Sequence, residues 1–213
     1  MLITFVAGPK ECEDITATDD GVYTMYPKSC DEPVLVYCIM EQNKKWTVIQ
    51  RRVNGSVDFY RTWKDYKMGF GSPYGEYWLG NELIHSISTD GHHELSIYMA
   101  TSTKQQTVNY STFSVGNEKS KYLLTVTGFS GSKGDNMGRC ATHPVAGSAN
   151  GQKFSTKDQD NDRNSGQCTE SYKGGWWYNN CECADFNRIY SSGMHWLGWT
   201  SIKKSIMMIR RKQ

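Results

Sequence analysis

Carboxylates recur at alternate positions in Asp158-Gln-Asp160-Asn-Asp162, and Arg163-Asn164-Ser165-Gly166-Gln167-Cys168 follows directly. A second cysteine, Cys181, comes after Gly174-Gly175-Trp176-Trp177-Tyr178. Such side chains do not pack into a core, because burying an unpaired charge costs several kcal/mol or more. Hard oxygen donors this crowded mean either a calcium ion or a solvated acidic turn. Asn164 and Gly166 favour calcium, since their backbone carbonyls can turn inward, and a bond between Cys168 and Cys181 would hold the loop shut. The EF-hand is excluded: counting from Asp158, the sixth position is Arg163 rather than Gly and the twelfth is Thr169 rather than Glu.

Other chemistry is sparse. His85, His92, His93, His143 and His195 show no HExxH or local triad spacing, and no enzyme is expected. His92-His93-Glu94 opens an apparent strand and is expected at the surface. The seven cysteines exceed what idle thiols would explain, and no spacing fits a zinc site. Across 213 residues, 24 basic and 22 acidic side chains leave a net charge of +2, too little to recruit nucleic acid or anionic membrane. The longest apolar run, residues 34–40, is too short to cross a bilayer, so no membrane insertion is expected. Residues 1–7 are shorter than a signal peptide and lack its basic start, so secretion rests on the cysteines and on two sequons. Asn54-Gly-Ser and Asn109-Tyr-Ser are glycosylation acceptors if the chain enters the secretory pathway.

The elements that must position these residues read as α+β. Residues 46–53 alternate apolar and polar, and Asn54-Gly55 predicts a type I′ turn into a partner strand over 56–60. Between 75 and 88 the period changes, with Leu79, Leu83, Ile84 and Ile87 on one helical face. Strands are predicted over 94–100, 108–115, 122–129 and 202–209. From 131 to 194 regular period disappears, and loops that long are functional or are held by metal and disulfides.

Further blocks accompany the acidic loop: Trp46-Thr-Val-Ile-Gln-Arg-Arg, Gly55-Ser-Val-Asp-Phe-Tyr-Arg, Gly75-Glu-Tyr-Trp-Leu-Gly-Asn, Phe154-Ser-Thr and the closing Met207-Met-Ile-Arg. Together with Tyr172-x-Gly-Gly-Trp-Trp-Tyr they resemble the fibrinogen C-terminal domain, the family of ficolins, tachylectins, angiopoietins and tenascins. The likeness runs from about Cys12 to Arg210. It implies an N-terminal extension over 1–11 and one domain over 12–213, with a small disulfide-bonded N-terminal part, a central twisted antiparallel sheet with flanking helices, and a loop-rich C-terminal part carrying calcium.

The resemblance also implies the site. It places Ca2+ on the Asp160 and Asp162 side chains and the Asn164 and Gly166 carbonyls, with Asp158 orienting the loop. It pairs Cys12 with Cys38 and Cys168 with Cys181; Cys140 and Cys183 are then matched by position, leaving Cys30 over. In lectin-type members a pocket beside this loop receives an acetyl group, which places Tyr172 on the wall and a cis peptide at Asn180-Cys181 on the acetyl oxygen. Trp176 and Trp177 are expected as scaffold. Two departures stand out. Glu182 occupies the position where the family has His, and the loop from Asn187 to Trp196 is short, so Tyr190 and Ser191 are expected to supply the far wall. The expected function is a secreted, extracellular, calcium-dependent lectin binding acetylated carbohydrate such as N-acetylglucosamine on microbial or host surfaces, assembled as a homo-oligomer. The alternative is a module that docks a protein receptor or matrix partner.

Overall fold

The structure, a computed structural model, describes residues 8–28, 32–41, 43–140, 143 and 147–212. Cys30 lies outside the described residues. The strands are β1 (Gly21–Met25), β2 (Val34–Glu41), β3 (Lys44–Arg52), β4 (Phe70–Gly71), β5 (Tyr77–Trp78), β6 (His93–Ala100), β7 (Gln105–Val115), β8 (Leu124–Ser130), β9 (Ala184–Asp185), β10 (Met194–Trp196), β11 (Trp199–Ile202) and β12 (Lys204–Arg211). The helices are α1 (Trp63–Met68), α2 (Asn81–Ser88) and α3 (Cys168–Tyr172). Among the described residues one antiparallel sheet runs β1-β2-β3-β12-β6-β7-β8, with β4 and β5 attached at β3, and β11-β10-β9 form a second.

Alternation explains the large sheet. In β7, Val108, Tyr110, Phe113 and Val115 are buried while Thr107, Asn109 and Ser111 face solvent, as period-two side chains on a half-buried sheet must. The last strand, β12, lies between β3 and β6 and pairs with both, so the end of the chain closes the centre of the sheet. α1 starts at a reciprocal capping box, Thr62 with Asp65. α2 buries Leu83, Ile84 and Ile87 as its apolar face predicts. Tyr66, Trp78, Phe154 and Trp177 meet with ring centroids 5.0 to 6.0 Å apart and join the helices to the loop-built part. Trp176 and Trp177 are fully buried scaffold, as expected.

Three local expectations are corrected. Residues 56–60 form no strand. The amides of Val53, Asn54 and Gly55 donate to Glu76 Oε1 at 2.7 to 2.8 Å, and that of Val57 donates to Oε2 at 3.1 Å. A carboxylate twenty residues away has replaced the partner strand. Burial would raise Glu76, yet these four donors hold it below the usual carboxylate range. Gly55 sits at φ 77°, and a Cβ there would meet the Tyr190 ring at 2.5 Å. Second, Ile202 belongs to β11, and the final strand starts only at Lys204, after Lys203 donates its N–H to Ala100 O.

Third, His93 is buried. Its Nε2 lies 3.1 Å from Glu11 Oε2, while Arg211 reaches Glu11 at 3.2 Å and Asp14 at 2.6 Å. Pro9 O accepts the Tyr26 N–H at 2.7 Å, so residues from 9 onward are tied into the domain. Cys12 bonds Cys38, Cys140 bonds Cys183, and Cys168 bonds Cys181.

Candidate functional site

Each short side chain of the acidic loop folds the backbone two residues on. Asp160 Oδ1 accepts from the Asp162 N–H at 3.0 Å, Asp162 Oδ1 from Asn164 at 2.8 Å, and Asn164 Oδ1 from Gly166 at 2.8 Å. Asp162 Oδ2 also takes the Cys168 N–H at 3.0 Å. Asp158 stands apart: its Oδ1 accepts from the Trp63 N–H and the Thr156 hydroxyl, both at 2.8 Å, which orients the loop on α1. Burial pushes Asp162 above the usual range, the Cys168 and Asn164 amides oppose this, and Asp160 adds to it.

A hard divalent cation fits this donor set. Two adjacent carboxylates keep lone pairs beyond those used, and among the described residues no hydrogen bond ends on the Asn164 or Gly166 carbonyl. A cation there would supply charge to offset two neighbouring anions, one of them half-buried. A separate grouping of metal-capable side chains, Cys140, His143 and Cys183, has both sulfurs in a disulfide.

Beside the loop, α3 ends at Tyr172, whose carbonyl accepts the Ile189 N–H at 3.0 Å. The Arg188 guanidinium lies 4.4 Å over the Tyr172 ring, and Tyr178 stacks against that ring at 6.0 Å. Glu182 has only 2% of its side chain exposed, with Arg188 Nη1 at 3.5 Å and His195 Nδ1 at 2.6 Å. Behind it Asp185 accepts from the Tyr178 hydroxyl at 2.6 Å and from the Asn187 N–H at 2.8 Å. Burial, with the nearby Glu182 charge, pushes Asp185 up to about 6. The Asn180–Cys181 peptide is cis. Asn180 Oδ1 receives the Asn164 side-chain amide, which links the cis peptide segment to the acidic loop. Among the described residues, neither the Asn180 nor the Cys181 N–H has a hydrogen-bond acceptor.

Tyr172, Asn180, Cys181 and Glu182 thus share one region with Asp160, Asp162, Asn164 and Gly166. The structure places Tyr190 and Ser191 elsewhere. The Tyr190 hydroxyl lies 3.2 Å from Val53 O and 3.0 Å from Lys203 O, either of which can accept its one hydrogen, and both Tyr190 and Ser191 line a cavity with Arg52 and Gly55. Sequence reasoning did not single out Arg188, Asp185 or Tyr178, nor assign His195 to the site. His195 arrives because β10 pairs with β9 in register with Asp185, and no local pattern announces that pairing.

Fold and site define an α+β domain tied by disulfides, with its acidic loop and the neighbouring Tyr172 surface built on the irregular C-terminal part. The chain belongs to the family described as fibrinogen beta and gamma chains, C-terminal globular domain, which matches residues 8–212. It is 38% identical over 214 residues to tenascin of Gallus gallus, covering 96% of this chain and 11% of that protein. Fibrinogen C domain-containing protein 1-A of Xenopus laevis is 36% identical over 95% of this chain and 47% of its own length. Fibrinogen-like protein 1 of Homo sapiens is 39% identical over 89% and 67%. The chain therefore spans less than half of the first two relatives.

Among solved structures, the fibrinogen-like globe domain of human ANGPTL2 is similar at TM-score 0.82 and 32% identity, covering 96% of this chain and all of that one. Lamprey fibrin D-dimer, complexed with the peptide Gly-His-Arg-Pro-amide, matches at TM-score 0.85 and 28% identity, over 95% and 73%. The three disulfides fit an oxidising compartment. Among the described residues no helix is long and apolar enough to cross a membrane.

Proposed function

We propose that this domain is an extracellular recognition module that docks a segment of a protein partner at the surface between the acidic loop and Tyr172. Arg188 is the observation that carries this reading. Held by Glu182, its guanidinium covers the Tyr172 ring at 4.4 Å, where the methyl of an acetyl group would have to pack. Arginine against an aromatic ring is also the composition that protein interfaces favour. The Asn180 and Cys181 amides offer two donors to a main-chain carbonyl. The peptide bound by the lamprey relative supports this kind of ligand.

A second reading, a lectin for acetylated carbohydrate such as N-acetylglucosamine, is favoured by the same two amides, which would donate to an acetyl oxygen. It requires Arg188 to leave the Tyr172 ring. In both readings Asp160, Asp162 and the carbonyls of Asn164 and Gly166 hold Ca2+, and the contact between Asn164 and Asn180 passes loop order to the pocket. Single sites of this kind bind weakly, so a homo-oligomer would supply avidity.

Arg188→Ala separates the two readings. Binding to an extracellular protein array and to acetylated beads is measured with and without EDTA. On the protein reading, Arg188→Ala and Tyr172→Ala both lose the partner, and acetate does not compete. Retention on acetylated beads that acetate displaces, and that strengthens in Arg188→Ala, would overturn it in favour of the lectin.

A further inference from the structure

The outward face of the large sheet carries a trough lined by Trp46 on β3, Ile206 and Met208 on β12, Ser96 and Tyr98 on β6, and Asn109 on β7. Strand register explains its shape. Asn109 lies opposite Ser96, and Ser96 lies opposite Met208, so a small side chain separates an exposed asparagine from an apolar floor. Three strand spacings, roughly 14 Å, separate β7 from β3. At the far side Trp46, 3% exposed, closes the end of the trough. Arg210 stands 5.4 Å over the Trp46 ring and is fixed by Glu94 at 2.5 Å.

We infer that this trough is covered by a carbohydrate that the chain itself carries, an N-linked glycan on Asn109 lying across β6 and β12 towards Trp46. Asn109-Tyr110-Ser111 is an acceptor sequence, and Asn109 points to solvent because Val108 and Tyr110 point to the core. The disulfides require an oxidising secretory route, and that is where the Asn-x-Ser acceptor is used. A pyranose offers C–H faces to the part-exposed Tyr98 and Ile206, and hydroxyls to the exposed Thr107 beside Asn109. The second sequon, at Asn54, does not line this trough, and its Oδ1 is engaged with the Ser56 N–H at 3.1 Å. Nothing in this inference depends on the calcium loop or on the ligand of the pocket.

The test uses the full chain secreted from mammalian cells. Glycopeptide mass spectrometry reads occupancy at Asn109. Native treatment with peptide N-glycosidase, which leaves aspartate in place of Asn109, is followed by thermal melting, tryptophan emission and binding of an apolar dye. The expected result is an occupied Asn109, with removal of the glycan lowering the melting temperature by a few degrees and raising dye binding, while the emission stays unchanged because Trp46 is only 3% exposed without it. Asn54→Gln should leave those differences unchanged, and Tyr98→Thr with Ile206→Thr should shrink them. An unoccupied Asn109, or an occupied one whose glycan can be removed with no change in melting or dye binding, would overturn the inference. So would a dimer that buries this face in the glycosylated protein. Enzymatic removal from folded protein keeps the test decisive even if Asn109→Gln fails to fold.

Discussion

The sheet and the loop-built part satisfy the same backbone groups with different partners. From β1 to β8 and in β12, amides and carbonyls pair with one another across registers that side-chain alternation fixes. Between β8 and β12 backbone pairing is shorter and irregular, and side chains take up further amides: Asp135 that of Gly138, Asp162 those of Asn164 and Cys168, Asn164 that of Gly166, Asp185 that of Asn187. A ladder of backbone bonds is indifferent to pH and ions. A backbone folded around carboxylates is not, and this domain places its recognition surface on the second kind. Glu76 joins the two, a carboxylate from the sheet side gathering four amides. Arg52 and Gln50 complete the junction by donating to Phe186 O at 3.2 and 2.9 Å.

The largest effect should come from that junction. Glu76→Ala leaves four amides without their acceptor and takes away the carboxylate 3.9 Å from Arg52, and loss of one partner from a buried charged network costs about 3–5 kcal/mol. At about 2–4 °C per kcal/mol for a domain of this size, melting should fall by roughly 6–20 °C. A fall no larger than that of an exposed control such as Lys104→Ala would show that the turn does not need the carboxylate. Next come the bridges of the loop part. Replacing Cys140 and Cys183 by Ser opens a sequence separation of 43 and should cost about 4 kcal/mol, against about 3 for Cys168 and Cys181 at a separation of 13. Limited proteolysis of both variants should cut between 131 and 194 before it cuts the sheet; first cuts in β6 or β7 would contradict the division.

Acidity should then tell the two regions apart. The folded pKa of Asp185, about 6, lies above its ordinary value. Its contribution to stability is therefore complete below about pH 4 and is lost as pH rises through about 6, on the order of 2–3 kcal/mol in all. Urea titrations from pH 4 to 7 should show a downward slope in the native chain that Asp185→Asn flattens; parallel slopes would sink the assignment. The smallest effect is that of calcium. At tenfold excess over Kd it should stabilise by about 1.4 kcal/mol, raising the melting temperature by roughly 3–6 °C. Asp162→Asn should lose that response, and an unchanged native melting point between EDTA and excess calcium would remove calcium from the picture.

What the sequence disclosed follows the same division. β6, β7, β8 and the apolar face of α2 were legible because their periodicity is local. The acidic spacing and the orienting role of Asp158 were legible because short polar side chains act two residues away. Asn54-Gly55 misled because the acceptor of its amides, Glu76, is remote in sequence and leaves no trace beside the turn. His93 misled in the same way, since Glu11 and Arg211 cover it from the two ends of the chain. The shortened loop predicted a changed pocket, but not that Arg188 would lie on Tyr172 or that β10 would carry His195 to Glu182.

The cluster of Glu11, Asp14, His93 and Arg211 has a mechanical meaning. It fastens the segment before β1 directly to the end of β12, with Cys12 bonded to Cys38 just behind. Tension applied between residues 9 and 211 therefore runs through a short clasp instead of along the sheet, and the loops from 131 to 194 stay outside the load path. A tether at either segment would therefore attach at the same place on the domain.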